Sequence, residues 1–336
     1  MTEYSRPRGA RLALAPVPLA PLPAFPPAPA PPTPFVGRER EQAQALQLLQ
    51  DRGVIALTGA HGSGKTALAA TICQVARATE FWVELAPGLN DSLPPLLWQL
   101  ARPLAHLAPD AWRALQFIEQ AGWEYPPIVR LQIILDAYAR QQQDILLCID
   151  RLEWSADPAL ESLLVGLCDY TARTYATRLK LLVIGTTLPY PIARYALPAL
   201  PGIEPEALRQ WADARGLGLS RPVARQIVRQ TGGLPQAIAL LLDALERTRS
   251  EISTSNIMAH PEIRRYTRWL LAGLSSDERS MLEHLSSQNG SSSALSHESL
   301  DQLVALEDTH LATLVDNRVV IHPLIRSFHQ RDRWDR

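Results

Sequence analysis

Cysteine is scarce in this chain of 336 residues, which contains only Cys73, Cys148 and Cys168. A small, odd number of cysteines set in apolar runs argues against a disulfide framework and predicts buried free thiols, as in a reducing compartment. The sequence also lacks a run of about 18 apolar residues, so it predicts no transmembrane helix. Prolines between residues 16 and 23 would break the helical core of a signal peptide. These absences predict a cytoplasmic protein.

Net charge is nearly absent, because 33 basic residues stand against 34 acidic ones and leave a formal charge of −1. This balance provides no global attraction to nucleic acid or to an anionic membrane. Lysine is rare as well, since Lys65 and Lys180 are the only lysines among the basic residues. Codon bias accounts for most of this pattern, but a chain that uses arginine almost everywhere still keeps lysine at position 65.

Proline is unevenly distributed, with eleven of the 28 prolines in residues 1–34. This composition predicts a disordered or polyproline II tail over residues 1–34. Spacings such as Pro18–Pro21 and Pro29–Pro32 fit a PxxP ligand for a partner protein, and a plain spacer is the alternative. The rest of the chain has an ordinary proline content and, with 46% apolar residues overall, can fill globular cores.

Short apolar segments alternate with helical patterns between residues 38 and 201. Strands are predicted at Val54–Thr58, Phe81–Leu85, Ile145–Ile149 and Leu181–Ile184. Helices are predicted at residues 38–51, 65–78 and 157–175, with a mainly helical stretch over 91–143. Continuously apolar strands that alternate with helices are typical of an α/β fold with a parallel sheet covered on both faces.

The strand signal fades after Pro201, and residues 204–247 read as a helical cluster. Residues 262–332 form a different unit. A capping box begins at Ser275 and predicts the start of a helix there. Two further helices are predicted near 297–304 and 307–316. A turn at Asp316-Asn317 and a strand at Arg318–Ile321 follow. Three small helices followed by a strand suggest a winged-helix domain, with another small helical domain as the alternative.

One segment carries a strong functional signal, since Gly59–Thr66 (GAHGSGKT) matches the P-loop pattern GxxxxGK[ST] between a predicted strand and a predicted helix. Glycines let the backbone wrap a phosphate, and the helix N-terminus adds positive potential. Lys65 can reach the β- and γ-phosphates, and the Thr66 hydroxyl can ligate Mg²⁺. Phosphate-binding residues are expected at Gly59, Gly62, Ser63, Gly64, Lys65, Thr66 and Ala67.

A nucleotide site of this kind also needs an acidic residue beside the metal ion. The third strand delivers Asp150 at its carboxyl end, where ligands bind in open α/β sheets, so Asp150 is expected to hold Mg²⁺ with Thr66. Arg151 follows where many ATPases place an acid, which leaves Glu153 as the candidate base that orients the attacking water. Thr186 and Thr187 end the fourth strand and are candidates to sense the γ-phosphate.

These motifs in this order resemble the STAND class of signalling ATPases, which includes the NB-ARC proteins and many bacterial regulators. The resemblance covers about residues 35–330. It is carried by Phe35-Val36-Gly37-Arg38-Glu39, the P-loop, Asp150, Thr186-Thr187, Gly233-Leu234-Pro235 and Ile321-His322-Pro323. It implies that Val36, Gly37 and Arg38 lie against the adenosine, that Pro235 packs on the base, and that His322 contacts the β-phosphate of ADP.

The resemblance also implies a domain order: a tail (1–34), a P-loop nucleotide-binding domain (35–202), a helical subdomain (203–252) and a winged-helix domain (253–336). Two positions depart from the family, because Leu188 stands where an arginine is common and Arg151 where a second acid is common. Both departures predict slow hydrolysis. STAND proteins usually add an effector and a repeat sensor, so partners in trans or a truncated chain are expected.

The leading hypothesis is an ATP/ADP- and Mg²⁺-dependent switch that is closed with ADP and opens or self-associates with ATP. One alternative is a DNA-linked AAA+-type ATPase with a DNA-binding winged helix. Residues 262–336 hold nine arginines and eleven acidic residues, which disfavours nucleic acid as a partner. The other alternative is a pseudo-enzyme scaffold that binds nucleotide without hydrolysing it and recruits a partner through the Pro-rich tail.

Overall fold

Four short apolar strands form a parallel sheet within residues 54–184. They are β1 (Val54–Leu57), β2 (Thr79–Glu84), β3 (Ile145–Asp150) and β4 (Leu179–Ile184), in the spatial order β1-β4-β3-β2. Each lies within two residues of its predicted position. Because β4 is inserted between β1 and β3, the residues that follow these three strands meet at one edge of the sheet.

The computed structural model describes residues 28–121, 126–142, 144–155, 157–173, 178–248, 254–287, 297–315 and 318–332. Most of the predicted Pro-rich tail, including Pro18–Pro21, and the predicted Asp316-Asn317 turn lie outside these residues. The described helices are, in chain order, α1 (Glu39–Arg52), α2 (Lys65–Val75), α3 (Leu93–Ala101), α4 (Leu104–Leu107), α5 (Pro109–Gln120), α6 (Pro127–Ala139), α7 (Pro158–Arg173), α8 (Tyr190–Ala193), α9 (Pro205–Ala214), α10 (Arg221–Thr231), α11 (Pro235–Thr248), α12 (Pro261–Ala272), α13 (Ser276–Ser287), α14 (His297–Asp308) and α15 (Pro323–Asp332).

Both faces of the sheet are covered, as the apolar strands predict. Successive strand residues point to opposite faces, so Ile55 and Leu57 pack with α1 and α2, whereas Val54 and Ala56 face a core built with α3, α6 and α7. The three cysteines are buried and free, as predicted.

The helical cluster predicted for residues 204–247 is present as α9, α10 and α11. Its core also contains side chains from α12 and α15, such as Ile263 and Phe328. Two helices from beyond residue 253 therefore pack into the core of this cluster. A separate core lies between α13, α14 and a two-stranded antiparallel hairpin.

The hairpin consists of β5 (Ala312–Val315) and β6 (Arg318–Ile321). Strand β6 was predicted, but the separate helix predicted over 307–316 is wrong. Only its first two residues are helical, as the end of α14 at Asp308, and His310 then adopts a left-handed φ of 57° that turns the chain into β5. Pairing with β6 decides the strand, and helical periodicity does not register partners such as Ala312 and Ile321 across a hairpin. None of the described helices has the length and apolarity needed to cross a membrane.

Candidate nucleotide site

The loop Gly59–Thr66 lies between β1 and α2, as the P-loop pattern requires. Gly59, Gly62 and Gly64 have positive φ values of 146°, 81° and 91°, which side-chain-bearing residues rarely adopt. At Gly62 a Cβ would also collide with the Tyr266 hydroxyl. The hydroxyl of Ser63 in this loop is buried and has no hydrogen-bond partner among the described residues.

Lys65 begins α2 and its side chain is almost fully buried. Its Nζ donates to the carbonyl oxygens of Gly59 at 2.8 Å and Ala60 at 3.1 Å, and to Thr186 Oγ1 at 3.3 Å. Burial lowers the pKa of Lys65, while the charges of Glu153 and Asp150 act in the opposite direction. The ammonium is thus held at the loop by weak partners that a phosphate can replace.

Thr66 and Asp150 lie together, because β3 ends beside the start of α2. The Thr66 hydroxyl donates to Asp150 Oδ2 at 3.0 Å, and Arg151 N donates to Asp150 Oδ1 at 2.8 Å. Burial raises the pKa of Asp150, and these two hydrogen bonds oppose the shift.

This hydroxyl and carboxylate are hard oxygen donors, which fit Mg²⁺. No group of three or more His, Cys, Asp or Glu side chains that could hold a metal occurs in the part of the chain that the structure describes. Mg²⁺ is commonly held by one or two carboxylates together with phosphates and water. Thr66 and Asp150 would hold the ion, which would neutralise charge on the phosphates.

Glu153 lies in a single 3₁₀ turn (Leu152–Trp154) after β3 and is tied to the end of β4. Its Oε2 accepts a hydrogen bond from Thr186 N at 3.0 Å, and its Oε1 accepts one from Thr186 Oγ1 at 3.2 Å. The hydroxyl of Thr187 instead donates to Asp308 O at 3.2 Å. Of the predicted threonine pair, Thr186 is therefore the member that contacts Lys65 and Glu153.

Arg151 occupies the position of the missing second acid in a left-handed conformation, with φ of 62°. Its guanidinium pairs with Glu84 at 2.9 Å and lies over the Trp154 ring, 4.5 Å from the centroid. The Arg151 guanidinium is thereby held in place, and Arg151 lines the same cleft as Lys65.

A cleft of about 660 Å³ opens over these residues, which is a usual size for a small-molecule site. Several parts of the chain contribute to its wall. The lining residues are Pro29, Ala30, Pro32, His61, Gly62, Gly64, Lys65, Thr66, Ala67, Ala70, Asp150, Arg151, Glu153, Trp154, Trp211, Pro235, Gln236, Ala239 and Trp269. The wall combines charged side chains from the start of α2 and the segment after β3 with apolar side chains from α2, α9 and α11.

Of the residues predicted from the family resemblance to contact nucleotide, some line the cleft and others do not. Pro235 lines the cleft, and Gln236 N donates to Gly62 O at 3.1 Å. Val36, Gly37 and Arg38 are not among the described residues of the cleft wall. Arg38 is buried and donates to the carbonyl oxygens of Ser63 at 3.1 Å and Pro201 at 2.5 Å, so it braces the P-loop from behind.

His322 also lies away from the described cleft wall, with its ring against Gly232. Burial lowers the pKa of His322 to about 4. The histidine of the C-terminal part that reaches the site is His310, whose Nε2 lies 3.1 Å from both Thr58 Oγ1 and Thr186 O. Sequence reasoning missed His310, because residues 307–316 were predicted to be one helix.

Sequence reasoning also missed two aromatic residues of α12. Tyr266 donates its hydroxyl to His61 O at 2.9 Å, and the Trp269 ring lies 4.6 Å from that of His61. Their three-residue spacing on one helix face was an available signal, but the same spacing is common in helices that only fill a core.

Comparison with known proteins agrees with this geometry. Residues 34–184 match the sequence model of the AAA ATPase domain, so the P-loop part of the chain is similar to nucleotide-binding ATPases of the AAA type. No curated protein sequence matches the chain.

Two solved structures share the fold over most of the chain. The Walker-type ATPase PABY2304 of Pyrococcus abyssi has a TM-score of 0.66 at 12% identity, covering 90% of this chain and 97% of that one. PH0952 of Pyrococcus horikoshii, a STAND protein with a tetratricopeptide repeat sensor, has a TM-score of 0.51 at 18% identity, covering 91% of this chain and 44% of that one. At these identities the likeness shows a shared P-loop ATPase fold.

Proposed function

We propose that this protein is an ATP/ADP-binding switch of the STAND type. In this proposal, ADP holds the nucleotide-binding domain, the helical cluster and the C-terminal unit (residues 261–332) together. Exchange of ADP for ATP opens this arrangement and allows self-association, and slow hydrolysis resets it. The C-terminal unit is taken to be the winged-helix domain of this class, because it combines small helices with an antiparallel hairpin.

The observation that supports the proposal most directly is that separate parts of the chain contact the P-loop and its neighbouring strand ends. The helical cluster contributes the bond from Gln236 N to Gly62 O, and α12 contributes the bond from Tyr266 to His61 O. The turn after α14 adds contacts to Thr58 and Thr186. Two of these contacts involve His61 and Gly62, which line the cleft, so a nucleotide bound there would lie beside them. A switch requires that the bound nucleotide change contacts of this kind.

The binding step is tested with the only two lysines. Lys65→Ala removes the buried ammonium of the P-loop and should abolish ATP and ADP binding, measured by isothermal titration calorimetry. Lys180→Ala is the matched control, because Lys180 pairs with Asp144 at 3.2 Å outside the cleft and should leave affinity unchanged. Equal affinity in the Lys65→Ala variant would contradict the P-loop assignment.

The switching step is tested by the nucleotide that co-purifies and by the mass of each nucleotide state. We expect a monomer with bound ADP and a larger species with ATP, measured by light scattering. A turnover of about ten per second or more without any activator would contradict a slow switch. Tight, salt-dependent binding in a DNA gel shift would instead support the DNA-linked ATPase.

A nucleotide-binding scaffold is the second candidate, because Arg151 replaces the second acid and both carboxylate oxygens of Glu153 are engaged by Thr186. A single-turnover ATP assay with the wild type and with Asp150→Asn distinguishes the two functions. The switch predicts cleavage that the substitution removes, and the scaffold predicts no cleavage in either chain. The Pro-rich tail would be the partner-binding segment of such a scaffold.

A further inference from the structure

His310 joins the C-terminal unit to the catalytic end of the sheet through a single ring nitrogen. Its Nε2 lies 3.1 Å from Thr186 O and 3.1 Å from Thr58 Oγ1. Thr58 Oγ1 itself donates to Thr186 O at 2.9 Å. Because a carbonyl oxygen only accepts hydrogen bonds, Nε2 must carry a proton and donate it to this pair of oxygens.

The residue that His310 contacts is the one that holds the candidate base. Thr186 uses its N–H and its hydroxyl on the two oxygens of Glu153, at 3.0 and 3.2 Å. The same hydroxyl is 3.3 Å from Lys65 Nζ. Thr186 is thus fixed at its carbonyl by the C-terminal unit, and its remaining polar groups fix Glu153 beside the P-loop lysine.

The backbone conformation at His310 also fixes where its ring lies. The residue follows the end of α14 with φ of 57°, a conformation in which glycine is the usual residue after a helix. Backbone hydrogen bonds from His310 N to Glu307 O at 2.9 Å and from Leu311 N to Leu306 O at 3.3 Å close this turn, and they hold the ring towards Thr58 and Thr186. The ring is half-buried, and burial is the main cause that lowers the pKa of His310.

We propose that His310 is a positioning residue for ATP cleavage, which acts through Thr186 on Glu153. The inference rests on the proposed ATPase activity. In that reaction, Glu153 takes a proton from the attacking water, whose oxygen bonds to the γ-phosphorus while the bond from phosphorus to the β-phosphate oxygen breaks. His310 belongs to the C-terminal unit, and in the proposed switch ATP moves that unit away from the P-loop. Cleavage is therefore confined to the times at which the unit docks again with ATP still bound, which makes hydrolysis slow and leaves the product ADP in the closed state.

The test compares three variants of the full chain in single-turnover ATP cleavage and ATP affinity. His310→Gly relieves the left-handed backbone and removes the donor, so we expect an unchanged melting temperature, ATP affinity within about twofold, and cleavage at least about tenfold slower. His310→Gln places an amide N–H near the Nε2 position and should retain most of the rate. Thr309→Ala is the control, because the Thr309 hydroxyl donates to Leu306 O at 2.8 Å within the same turn, and this variant should behave as the wild type.

A double variant separates positioning from simple support of the fold. In a Glu153→Gln background, His310→Gly should slow cleavage no further, because its effect passes through the carboxylate that is already gone. Additive losses, an unchanged rate in His310→Gly, or a parallel loss of ATP affinity would overturn the inference. A wild-type chain that binds ATP without cleaving it would overturn it too while leaving nucleotide binding intact. A wild-type chain that binds no nucleotide would overturn the proposed function itself.

Discussion

Two histidines of the C-terminal unit show how surroundings decide a residue's role. His310 uses its Nε2–H on Thr58 and Thr186, at the end of the sheet that carries the P-loop. His322 lies against Gly232, and its Nδ1 accepts a hydrogen bond from Leu324 N at 3.3 Å. The first histidine can act on the chemistry, whereas in this arrangement the second stabilises the packing between α10 and the start of α15.

The buried ring of His322 predicts a pH dependence of folding stability. Burial lowers its pKa from 6.5 to about 4, so between these values the unfolded chain binds a proton that the folded chain does not. Stability should therefore fall as the pH drops from 6.5 towards 4, by up to about 3 kcal/mol from this group. Urea unfolding at pH 7 and pH 4.5 measures the change.

His322→Gln is the matched variant for this measurement, because it removes the titrating group while the other acids and histidines remain. The difference in unfolding free energy between the wild type and His322→Gln should become smaller as the pH falls. A difference that stays constant between pH 7 and pH 4.5 would show that His322 titrates normally in the folded chain.

Among the elements, α13 illustrates a boundary that local sequence decides. Ser275 N donates to Glu278 Oε2 at 2.7 Å, and Glu278 N donates to Ser275 Oγ at 3.2 Å. These are the two reciprocal bonds of the predicted capping box, which satisfy amide groups that the first turn of a helix leaves unpaired. The interaction needs only residues that are three apart, so it is visible without the fold.

Ser275→Ala should lower the unfolding free energy by about 1 kcal/mol, because an N-cap hydroxyl is lost. Ser276→Ala is the control one residue later, where the hydroxyl donates an exposed hydrogen bond to Asp277 Oδ1 at 3.3 Å, and it should change stability by less than about 0.5 kcal/mol. Nucleotide affinity should be unchanged in both. Equal losses in the two variants, measured by urea denaturation, would argue against the capping role.

The turn between α14 and β5 illustrates the opposite case. Leu311–Val315 continues an apolar pattern that also fits a helix, and the chain instead enters a strand paired with Arg318–Ile321. Cross-strand pairing and the packing of Ala312 and Ile321 in the core with α13 and α14 outweigh local propensity. As a result, His310 lies in a turn and not in a helix, and its ring contacts Thr58 and Thr186 at the end of the parallel sheet.

At the scale of the whole molecule, the arrangement of three parts around one cleft predicts a measurable movement. Trp269 of α12 lies 4.6 Å from the ring of His61 in the P-loop, and its side chain is 53% exposed. If ATP separates the C-terminal unit from the P-loop, this ring loses its neighbour and enters water. Trp269 emission should then differ between the ADP and ATP states.

The measurement is the nucleotide-dependent change in tryptophan fluorescence, compared between the wild type and Trp269→Phe. The change should become smaller in Trp269→Phe, with Trp154 and Trp211 of the cleft wall contributing the remainder. It should keep its full size in Trp98→Phe, because Trp98 packs against Trp112 on the far side of the sheet from the P-loop helix. A change of equal size in Trp269→Phe would show that this ring does not report the movement. Identical spectra with ADP and ATP in the wild type would contradict the opening.

The sequence by itself determined the P-loop, the strand that ends in Asp150, the sheet covered on both faces, the free cysteines and the capping box. Each of these depends on neighbours within a few residues: glycines that permit positive φ values, continuous apolar runs, or a serine three residues before a glutamate. The AAA ATPase domain match over residues 34–184 agrees with these local signals.

Only the tertiary structure decided which side chains meet at the cleft. The insertion of β4 between β1 and β3 brings Thr186 to Lys65 and Glu153, and the strand order is not written in any single segment. The packing of α12 and the end of α14 on this edge adds Trp269 and His310, which are more than 200 residues from the P-loop in sequence. Contacts at such separation depend on the summed burial of whole elements, so no local pattern could have revealed them.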